Sequence, residues 1–294
     1  MTEENSIDYA ALKKGGFMRQ VQKECFSARL KVIGGQLSSG QLEKIAAAAA
    51  KYGKSYVHLT SRQGVEIPFV NIKDVEKARQ ELTEAGIPVG VCGARVRTVT
   101  ACQGNAVCPS AAIETSGLAV ELDKRYFGRE LPHKFKIGIT GCVNNCLKAE
   151  ENDLGIKGCV LPEWRGDSCS FCGVCEAVCP HAAIKITGES DEKAVELDKK
   201  ACNYCGKCIK SCPEDAWQGK NGYLLVFGGM FGNEIKTAVR VLPLLFDREN
   251  VFKAADAVIR FYEAHGKAGE RLGKTIARIG QDVLRQELTS ALDS

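Results

Sequence analysis

The sequence predicts an α+β protein in which a cysteine-rich segment interrupts an ordinary pattern of strands and helices. Residues 17–90 show the order strand, helix, strand, strand, helix, whereas residues 162–218 hold two cysteine-rich repeats and little else. After that segment, GYLLVFGG and the amphipathic RENVFKAADAVIRFYEAHG indicate a strand and a helix. The expected domains are residues 1–90, residues 91–160 with 220–294, and the inserted residues 161–219.

The first ninety residues carry the clearest local signals. FSARLKVI alternates like a strand, and SSGQLEKIAAAAAKYG then predicts a helix with a capping-box pattern at Ser38 and Gln41 and a stop at Gly53. SYVHLT and VEIPFV are strand-like, and NIKDVEKARQELTEAG predicts a helix that ends at Gly86. Together these elements predict a small α+β unit.

Composition narrows the class of protein. The 294 residues are 45% hydrophobic and 26% charged, as in ordinary soluble globular proteins. A formal charge of +4 is too small to indicate a nucleic-acid or membrane partner, and no stretch is apolar enough to span a bilayer. Because MTEENSIDYAALKKGG lacks the apolar core of a signal peptide, we expect a cytoplasmic location.

Cysteine is the residue type that departs from the average. The chain has 15 cysteines, an odd number, and no export signal, so a disulfide framework is not expected. Its four histidines lack zinc-enzyme spacing, which indicates thiolate metal chemistry. Cys25, Cys92 and Cys159 have no partner spacing and are expected to be structural. The other twelve fall into three groups of four.

Two of these groups repeat one spacing. CSFCGVCEAVCP at 169–180 and CNYCGKCIKSCP at 202–213 both match C-x₂-C-x₂-C-x₃-C-P, the bacterial ferredoxin signature, in which the fourth cysteine binds the other cluster. Zinc knuckles are the alternative, which the third cysteine and the proline disfavour. The predicted ligand sets of two [4Fe–4S] clusters are Cys169, Cys172, Cys175 and Cys212, and Cys202, Cys205, Cys208 and Cys179.

The third group joins ACQGNAVCP at 101–109 with TGCVNNC at 140–146. Cys142 and Cys146 follow the strand-like KFKIGI, and their spacing would place both sulfurs on one face of a helix start. Cys102 and Cys108 add a C-x₅-C pair. Four thiolates are enough for one further [4Fe–4S] cluster.

Basic residues precede both halves of this third group. Lys134 and Lys136 share one face of the predicted strand, Arg95 and Arg97 share another, and Arg62 follows SYVHL. A solvated strand face is the alternative interpretation of the lysines. Cations that converge on a metal centre would orient a small oxyanion and stabilise charge as its oxygens are protonated and leave.

The combination of C-x₅-C with G-C-x-N-x-C resembles the sulfite and nitrite reductases, which couple a [4Fe–4S] cluster to sirohaem. GGMFG at 228–232 and GKAGERLGKTIARIG resemble the same enzymes, so the resemblance covers nearly the whole chain from about residue 17. It implies a ferredoxin-like, parachute-type N-terminal domain, a sirohaem and [4Fe–4S] α/β domain, and an inserted bacterial-type 2[4Fe–4S] ferredoxin module. It also implies that Cys146 bridges the cluster to the sirohaem iron.

The resemblance further implies roles for the basic residues. The arginine of a T-x-R-Q segment, the arginine before the first cluster cysteine and the two lysines of K-F-K line the family's sirohaem pocket. These positions correspond to Arg62, Arg97, Lys134 and Lys136. Arg95 and Gln63 are implied to bind the cofactor, Arg95 through a sirohaem carboxylate. Because RTVTAC precedes the first cysteine, the register leaves open whether Arg95 or Arg97 faces the substrate.

We therefore expect a reductase of the anaerobic or dissimilatory-like type that converts sulfite to sulfide with six electrons. An external low-potential donor, a ferredoxin or flavoprotein, would supply them through the ferredoxin-type clusters, because the chain shows no nucleotide-binding fingerprint. The family's fused halves are related by a pseudo-two-fold axis, which implies a homo-oligomer built on a two-fold dimer. Nitrite reduction to ammonia and a non-catalytic electron-transfer or sirohaem-carrying protein are the alternatives.

Overall fold

The computed structural model describes residues 7–189 and 192–294. Its helices are α1 (Tyr9–Lys14), α2 (Ser39–Tyr52), α3 (Val75–Glu84), α4 (Ser116–Tyr126), α5 (Val174–Ala177), α6 (Lys207–Lys210), α7 (Arg248–His265), α8 (Leu272–Ile279) and α9 (Gln281–Asp293). Its strands are β1 (Phe17–Arg19), β2 (Cys25–Arg29), β3 (His58–Leu59), β4 (Val65–Asn71), β5 (Thr100–Ala101), β6 (Ile137–Thr140), β7 (Leu154–Trp164), β8 (Ile184–Thr187), β9 (Ala194–Leu197) and β10 (Trp217–Phe227). None of the described helices is long and apolar enough to cross a membrane.

The N-terminal unit is an antiparallel sheet of order β1–β2–β4–β3 with α2 and α3 packed on β4 and on each other. The predicted capping box is present at the start of α2, where the Ser38 hydroxyl accepts from the Gln41 N–H and the Gln41 side chain accepts from the Ser38 N–H. Phe17, Phe26 and Leu82 are fully buried between the sheet and the helices. This is the small α+β unit that the sequence predicts.

The second sheet has the order β10–β7–β6–β5. β5, β6 and β7 run parallel, whereas β10 pairs antiparallel with β7 from Trp217–Trp164 to Phe227–Leu154. The four residues of β6 are all buried, because α4 and α7 contribute to one large apolar core with this sheet. Neighbouring parallel strands end at the same edge of a sheet, so the segments that follow β5 and β6 meet there.

The inserted segment lies between β7 and β10. Because Trp164 pairs with Trp217, the chain leaves the second sheet and returns to it at one point. The segment holds α5, the predicted hairpin of β8 and β9, and α6 around a small core of its own. α5 and α6 each begin after a left-handed glycine, Gly173 and Gly206, as expected of a repeated motif.

Two local predictions are wrong. No helix begins at Cys142, because Asn145 and Lys148 have φ of 56° and 57°, a left-handed conformation that an α-helix cannot contain. The chain turns instead and forms only a short 3₁₀ segment, Ala149–Glu151. The strand expected over SYVHLT is reduced to β3, whose residues are both exposed at the sheet edge.

Candidate functional site

A cationic cavity of about 290 Å³ is lined by residues of the N-terminal unit and by residues that lead into the second sheet. Its basic lining residues are Arg29, Arg62, Arg97, Lys134 and Lys136, and none of the described residues that line it is acidic. The remaining lining residues are apolar or neutral, such as Val32 and Thr60. Five cations around one small space, with no carboxylate on its wall, make a site suited to a small anion.

Hydrogen bonds hold the arginines at the wall of the cavity. Arg62 reaches out of the N-terminal unit, and its Nη1 donates to Asn152 Oδ1 at 2.7 Å while its Nη2 donates to the Thr98 carbonyl at 3.2 Å. Burial lowers the pKa of Arg62 to about 10. Arg97 donates to the carbonyls of Val91 and Gly93 at 3.2 and 3.0 Å, and burial lowers its pKa as well.

The two lysines flank Phe135, which is fully buried and pairs with Val96. This extended alternation sends Phe135 into the core and both lysines to the cavity, as the sequence predicts. Burial, together with the nearby charges of Arg62 and Arg271, lowers the pKa of Lys136 to about 8. Burial lowers the pKa of Lys134 in the same direction. Lys136 is therefore an acid poised near neutral pH.

A buried carboxylate lies behind the wall of the cavity. Asp153 is fully buried and accepts two bonds from Arg271, Nε to Oδ1 at 3.1 Å and Nη2 to Oδ2 at 2.7 Å. Asp153 Oδ2 also accepts the backbone N–H of Lys136 at 2.8 Å. Burial raises the pKa of Asp153, and Arg271 is the largest influence that opposes this. The ion pair thus ties the lysine segment to α8.

The remaining predicted pocket residues lie elsewhere. Arg95 is outside the cavity, where its Nη2 pairs with Glu130 Oε1 at 2.6 Å, so Arg97 is the residue of this pair that lines the cavity. Gln63 makes two bonds to the backbone of Ala101, donating to its carbonyl at 2.9 Å and accepting from its N–H at 3.0 Å. Gln63 therefore joins the N-terminal unit to β5 immediately before the third cysteine group.

Sequence reasoning missed Arg29. It ends β2, lines the cavity and pairs with Glu66 at 2.6 Å. Its guanidinium also donates to the buried thiol of Cys92 at 3.2 Å. The only available signal is its place in the alternating FSARLKVI, where its neighbours Ala28 and Leu30 are apolar.

The third cysteine group assembles where β5 and β6 end. The Gly141 N–H donates to Cys102 Sγ at 3.0 Å. Burial raises the pKa of the Cys142 thiol, and the three other cysteines of the group raise it further through their charge. A Cβ on Gly141 would lie 2.7 Å from the Ala111 Cβ and 3.0 Å from the Gly104 Cα, so this approach requires glycine. Cys146 is exposed, and the other three are half-buried.

Two small cavities in the inserted segment are each lined by four cysteines. One is lined by Cys169, Cys172, Cys175 and Cys212, and the other by Cys179, Cys202, Cys205 and Cys208. Each cavity therefore takes three cysteines from one run and the fourth from the other run. Apolar side chains such as Trp217 in the first cavity and Leu197 in the second also line the walls, together with Glu214 in the first and Lys207 in the second.

Backbone N–H groups point at sulfur in both cavities. Cys169 and Cys212 accept from Phe171 and Ala216 at 3.4 and 3.3 Å, and Cys202 and Cys179 accept from Tyr204 and Ala183 at the same two distances. Such bonds favour thiolates and tune cluster potentials. Within the described ranges no three His, Cys, Asp or Glu side chains converge on a single ion. A four-iron cluster binds each thiolate at a different iron, and a set of four cysteines offers the number of thiolates that such a cluster takes.

The cysteine-lined cavities have the chemistry of iron–sulfur sites, and comparison with known families defines the class of protein. Residues 92–294 match the nitrite and sulphite reductase 4Fe-4S domain, and residues 18–85 match the nitrite/sulfite reductase ferredoxin-like half domain. The chain belongs to the nitrite and sulfite reductase family, as the sequence resemblance indicates.

Two curated relatives are sulfite reductases by name. The chain is 33% identical over 257 residues to the coenzyme F420-dependent sulfite reductase of Methanocaldococcus jannaschii, an alignment that spans 87% of this chain and 40% of that protein. It is also 33% identical over 250 residues to one subunit of the anaerobic sulfite reductase of Salmonella typhimurium, and this alignment spans 80% of this chain and 72% of that relative.

A solved structure shows the same fold. Dissimilatory sulfite reductase I superposes with a TM-score of 0.73 at 19% identity, over 90% of this chain and 69% of that one. Because the F420-dependent relative extends well beyond the matched region, the present chain corresponds to less than half of it.

Proposed function

We propose that the protein reduces sulfite to sulfide in a six-electron reaction. The observation that carries this proposal is the cavity lined by five cations and by no acidic residue among those described, whose residues Arg97 and Lys136 lead into β5 and β6, the strands that the third cysteine group follows. Gln63 links the two, because it follows the cavity residue Arg62 in the chain and bonds the residue before Cys102. The names of the two curated relatives support sulfite as the substrate.

The side chains of the cavity can bind the oxyanion and protonate it. Arg29, Arg62 and Arg97 would hold its oxygens, each through a charge-assisted bond worth about 1.5–3 kcal/mol. Lys136, with a pKa of about 8, is protonated at neutral pH and can release that proton to a leaving oxygen at low cost. Lys134 lies at the same wall and would serve as a second donor.

The cofactors of this proposal are one sirohaem and three [4Fe–4S] clusters. Residues 161–219 would form a two-cluster ferredoxin module inserted into a sirohaem domain of residues 91–160 and 220–294, behind the N-terminal half-domain of residues 1–90. Cys102, Cys108, Cys142 and Cys146 would hold the third cluster, and the exposure of Cys146 suits a ligand that also reaches sirohaem. Arg95 and Gln63 stay as proposed cofactor-binding residues. When bound, these groups would carry electrons from an external low-potential donor to the substrate.

Turnover by the anaerobically purified protein tests the proposal. With reduced methyl viologen as donor, we expect stoichiometric sulfide from sulfite, and loss of this activity in Arg62→Ala. Nitrite is the rival substrate, since the family model covers reductases of both anions. A higher kcat/KM for nitrite, with ammonia as product, would reassign the substrate. Sirohaem and iron without turnover of either anion would favour a non-catalytic role.

The proposal includes a two-fold homodimer as the smallest assembly. A single chain holds one ferredoxin-like half domain, residues 18–85, and a second copy would supply the other half. Sedimentation of the purified protein should give twice the chain mass of 31.8 kDa. A monomer of full activity would contradict this part of the proposal.

A further inference from the structure

Two adjacent buried residues contact three of the chain segments around the cationic cavity. Asn152 and Asp153 precede β7 and are 4% and 0% exposed. Asn152 accepts from Arg62, which belongs to the N-terminal unit, and Asp153 accepts from the Lys136 backbone and from Arg271 at the start of α8. Neither residue is among those that line the cavity.

We propose that Asn152 and Asp153 are positioning residues, which hold Arg62 and Lys136 in the geometry that binds the oxyanion. This inference rests on the proposed function, because it assigns the same cavity to an oxyanion. Asn152 positions the Arg62 side chain of the N-terminal unit. Asp153 positions Lys136, which precedes β6 of the second sheet.

The orientation of the Asn152 amide is fixed by its own bonds. Its Nδ2 donates to the carbonyls of Lys148 and Ala149 at 3.2 and 3.4 Å, which leaves Oδ1 as the group that faces Arg62. Gly138 of β6 makes room for this amide, since a Cβ there would clash with Asn152 Nδ2. The acceptor that Arg62 meets is therefore held in place just before β7 by the backbone carbonyls that bind the other end of the amide.

Hydrogen bonds also fix the position of Asp153. Arg271 occupies both carboxylate oxygens, and the Asp153 carbonyl accepts the Gly228 N–H at 2.8 Å. The Lys136 N–H bond to Oδ2 then fixes the backbone from which the lysine side chain enters the cavity. The Asp153 charge favours the ammonium form of Lys136, against the effects of burial and of Arg62 and Arg271.

A double-mutant cycle tests the Asn152 part of the proposal. Sulfite affinity is measured by calorimetry on the holoprotein without an electron donor, for wild type, Arg62→Ala, Asn152→Ala and the double variant. We expect Asn152→Ala to weaken binding roughly tenfold to a hundredfold, the value of one hydrogen bond to a charged partner, and to have no further effect once Arg62 is absent. The proposal would be overturned if Asn152→Ala reduced sulfite affinity equally in the wild-type and Arg62→Ala backgrounds. Asn233→Ala, at an exposed asparagine, is the matched control.

Competitive lysine acetylation tests the role proposed for Asp153 and requires neither a substrate nor an electron donor. In Asp153→Asn, the pH midpoint of Lys136 labelling should fall below that of wild type, while exposed Lys199 labels unchanged. An unchanged Lys136 midpoint would overturn the role of Asp153. If this variant does not fold because Arg271 loses its partner, the Asn152 cycle decides. If the wild-type protein binds no sulfite, the proposed function fails. The labelling result still decides whether Asp153 controls the titration of Lys136.

Discussion

At the residue scale, burial lowers the pKa values of basic side chains at the cavity. Lys136 and Arg62 both lose hydration at the cavity, and their pKa values fall to about 8 and about 10. The arginine therefore stays charged throughout the physiological range, whereas the lysine exchanges a proton within it. The same wall thus offers a permanent anion ligand and an acid.

Lys136→Ala tests the contribution of one such contact. Loss of a charge-assisted bond worth about 1.5–3 kcal/mol should lower kcat/KM for sulfite roughly tenfold to a hundredfold. Iron and sirohaem content should stay at the wild-type level, because Lys136 lies outside the three cysteine groups. Lys199→Ala, on the exposed surface, should have almost no effect. Unchanged kinetics in Lys136→Ala would return the lysines to the interpretation of a solvated strand face.

The pH dependence of sulfite reduction tests the lowered pKa of Lys136. The ammonium form is present below a pH of about 8 and is lost above it, so binding and proton donation should weaken as the pH rises through that value. A guanidinium stays protonated throughout, so Lys136→Arg should lack this step. The ratio of the two pH profiles removes any titration of the substrate, and a flat ratio would exclude Lys136 as the titrating group.

Four of the five basic residues that line the cavity were candidates from the sequence, and one of them, Arg62, reaches it from the N-terminal unit. Lys134 and Lys136 both line the cavity because strand alternation fixes their common direction, whereas the same alternation does not bring Arg95 to the cavity beside Arg97. Arg29 was not predicted from the sequence, because only tertiary packing brings the end of β2 to the cavity. The ambiguity between Arg95 and Arg97 could not be resolved without the bridges from Val96 to Phe135 and from Arg95 to Glu130.

At the element scale, two parallel strands bring distant cysteines together, and the turn after β6 completes the group. Asn145 stabilises this turn, since its Oδ1 accepts the Ala149 N–H at 2.7 Å and its Nδ2 donates to Glu150. Glu150 in turn pairs with Lys157 of β7 at 2.5 Å. The helix expected from cysteine spacing does not form because these local side-chain bonds stabilise a turn with left-handed residues instead.

The Asp153–Arg271 ion pair should be one of the main supports between α8 and the second sheet. Arg271→Met leaves a buried carboxylate without its ion-pair partner, which costs about 3–5 kcal/mol in comparable pairs. Urea denaturation should show the midpoint falling accordingly, whereas the exposed pair of Arg285 and Asp282 should tolerate Arg285→Met within about 1 kcal/mol. Equal stability of the two variants would mean that the buried pair does not hold α8.

Cysteine replacements should separate the inserted segment from the third group. Cys205→Ala should remove the iron of one cavity in the insert and leave the sirohaem absorption in place. Cys146→Ala should abolish activity and the coupling of sirohaem to its cluster. Cys159→Ala is the matched control, since this buried cysteine lies in none of the groups and should keep full iron content. Loss of sirohaem from the Cys205 variant would contradict a separable insert.

At the scale of the whole molecule, the residues that the structure describes form three apolar cores. The largest belongs to the second sheet, the next to the N-terminal unit and the smallest to the insert. The repeated cysteine spacing predicts the insert from sequence, because ligand spacing is a local property. Its junction at Trp164 and Trp217 is a cross-strand pair between residues far apart in sequence, and no local pattern marks it.

Iron and sirohaem content of the anaerobically purified protein is the most direct test of the central claim. Three cysteine sets of four, each holding a [4Fe–4S] cluster, and one sirohaem predict about thirteen iron atoms per chain together with the sirohaem absorption spectrum. A preparation with well under ten iron atoms per chain, or one without sirohaem, would contradict the assignment of these cysteines and of the reductase activity that depends on them.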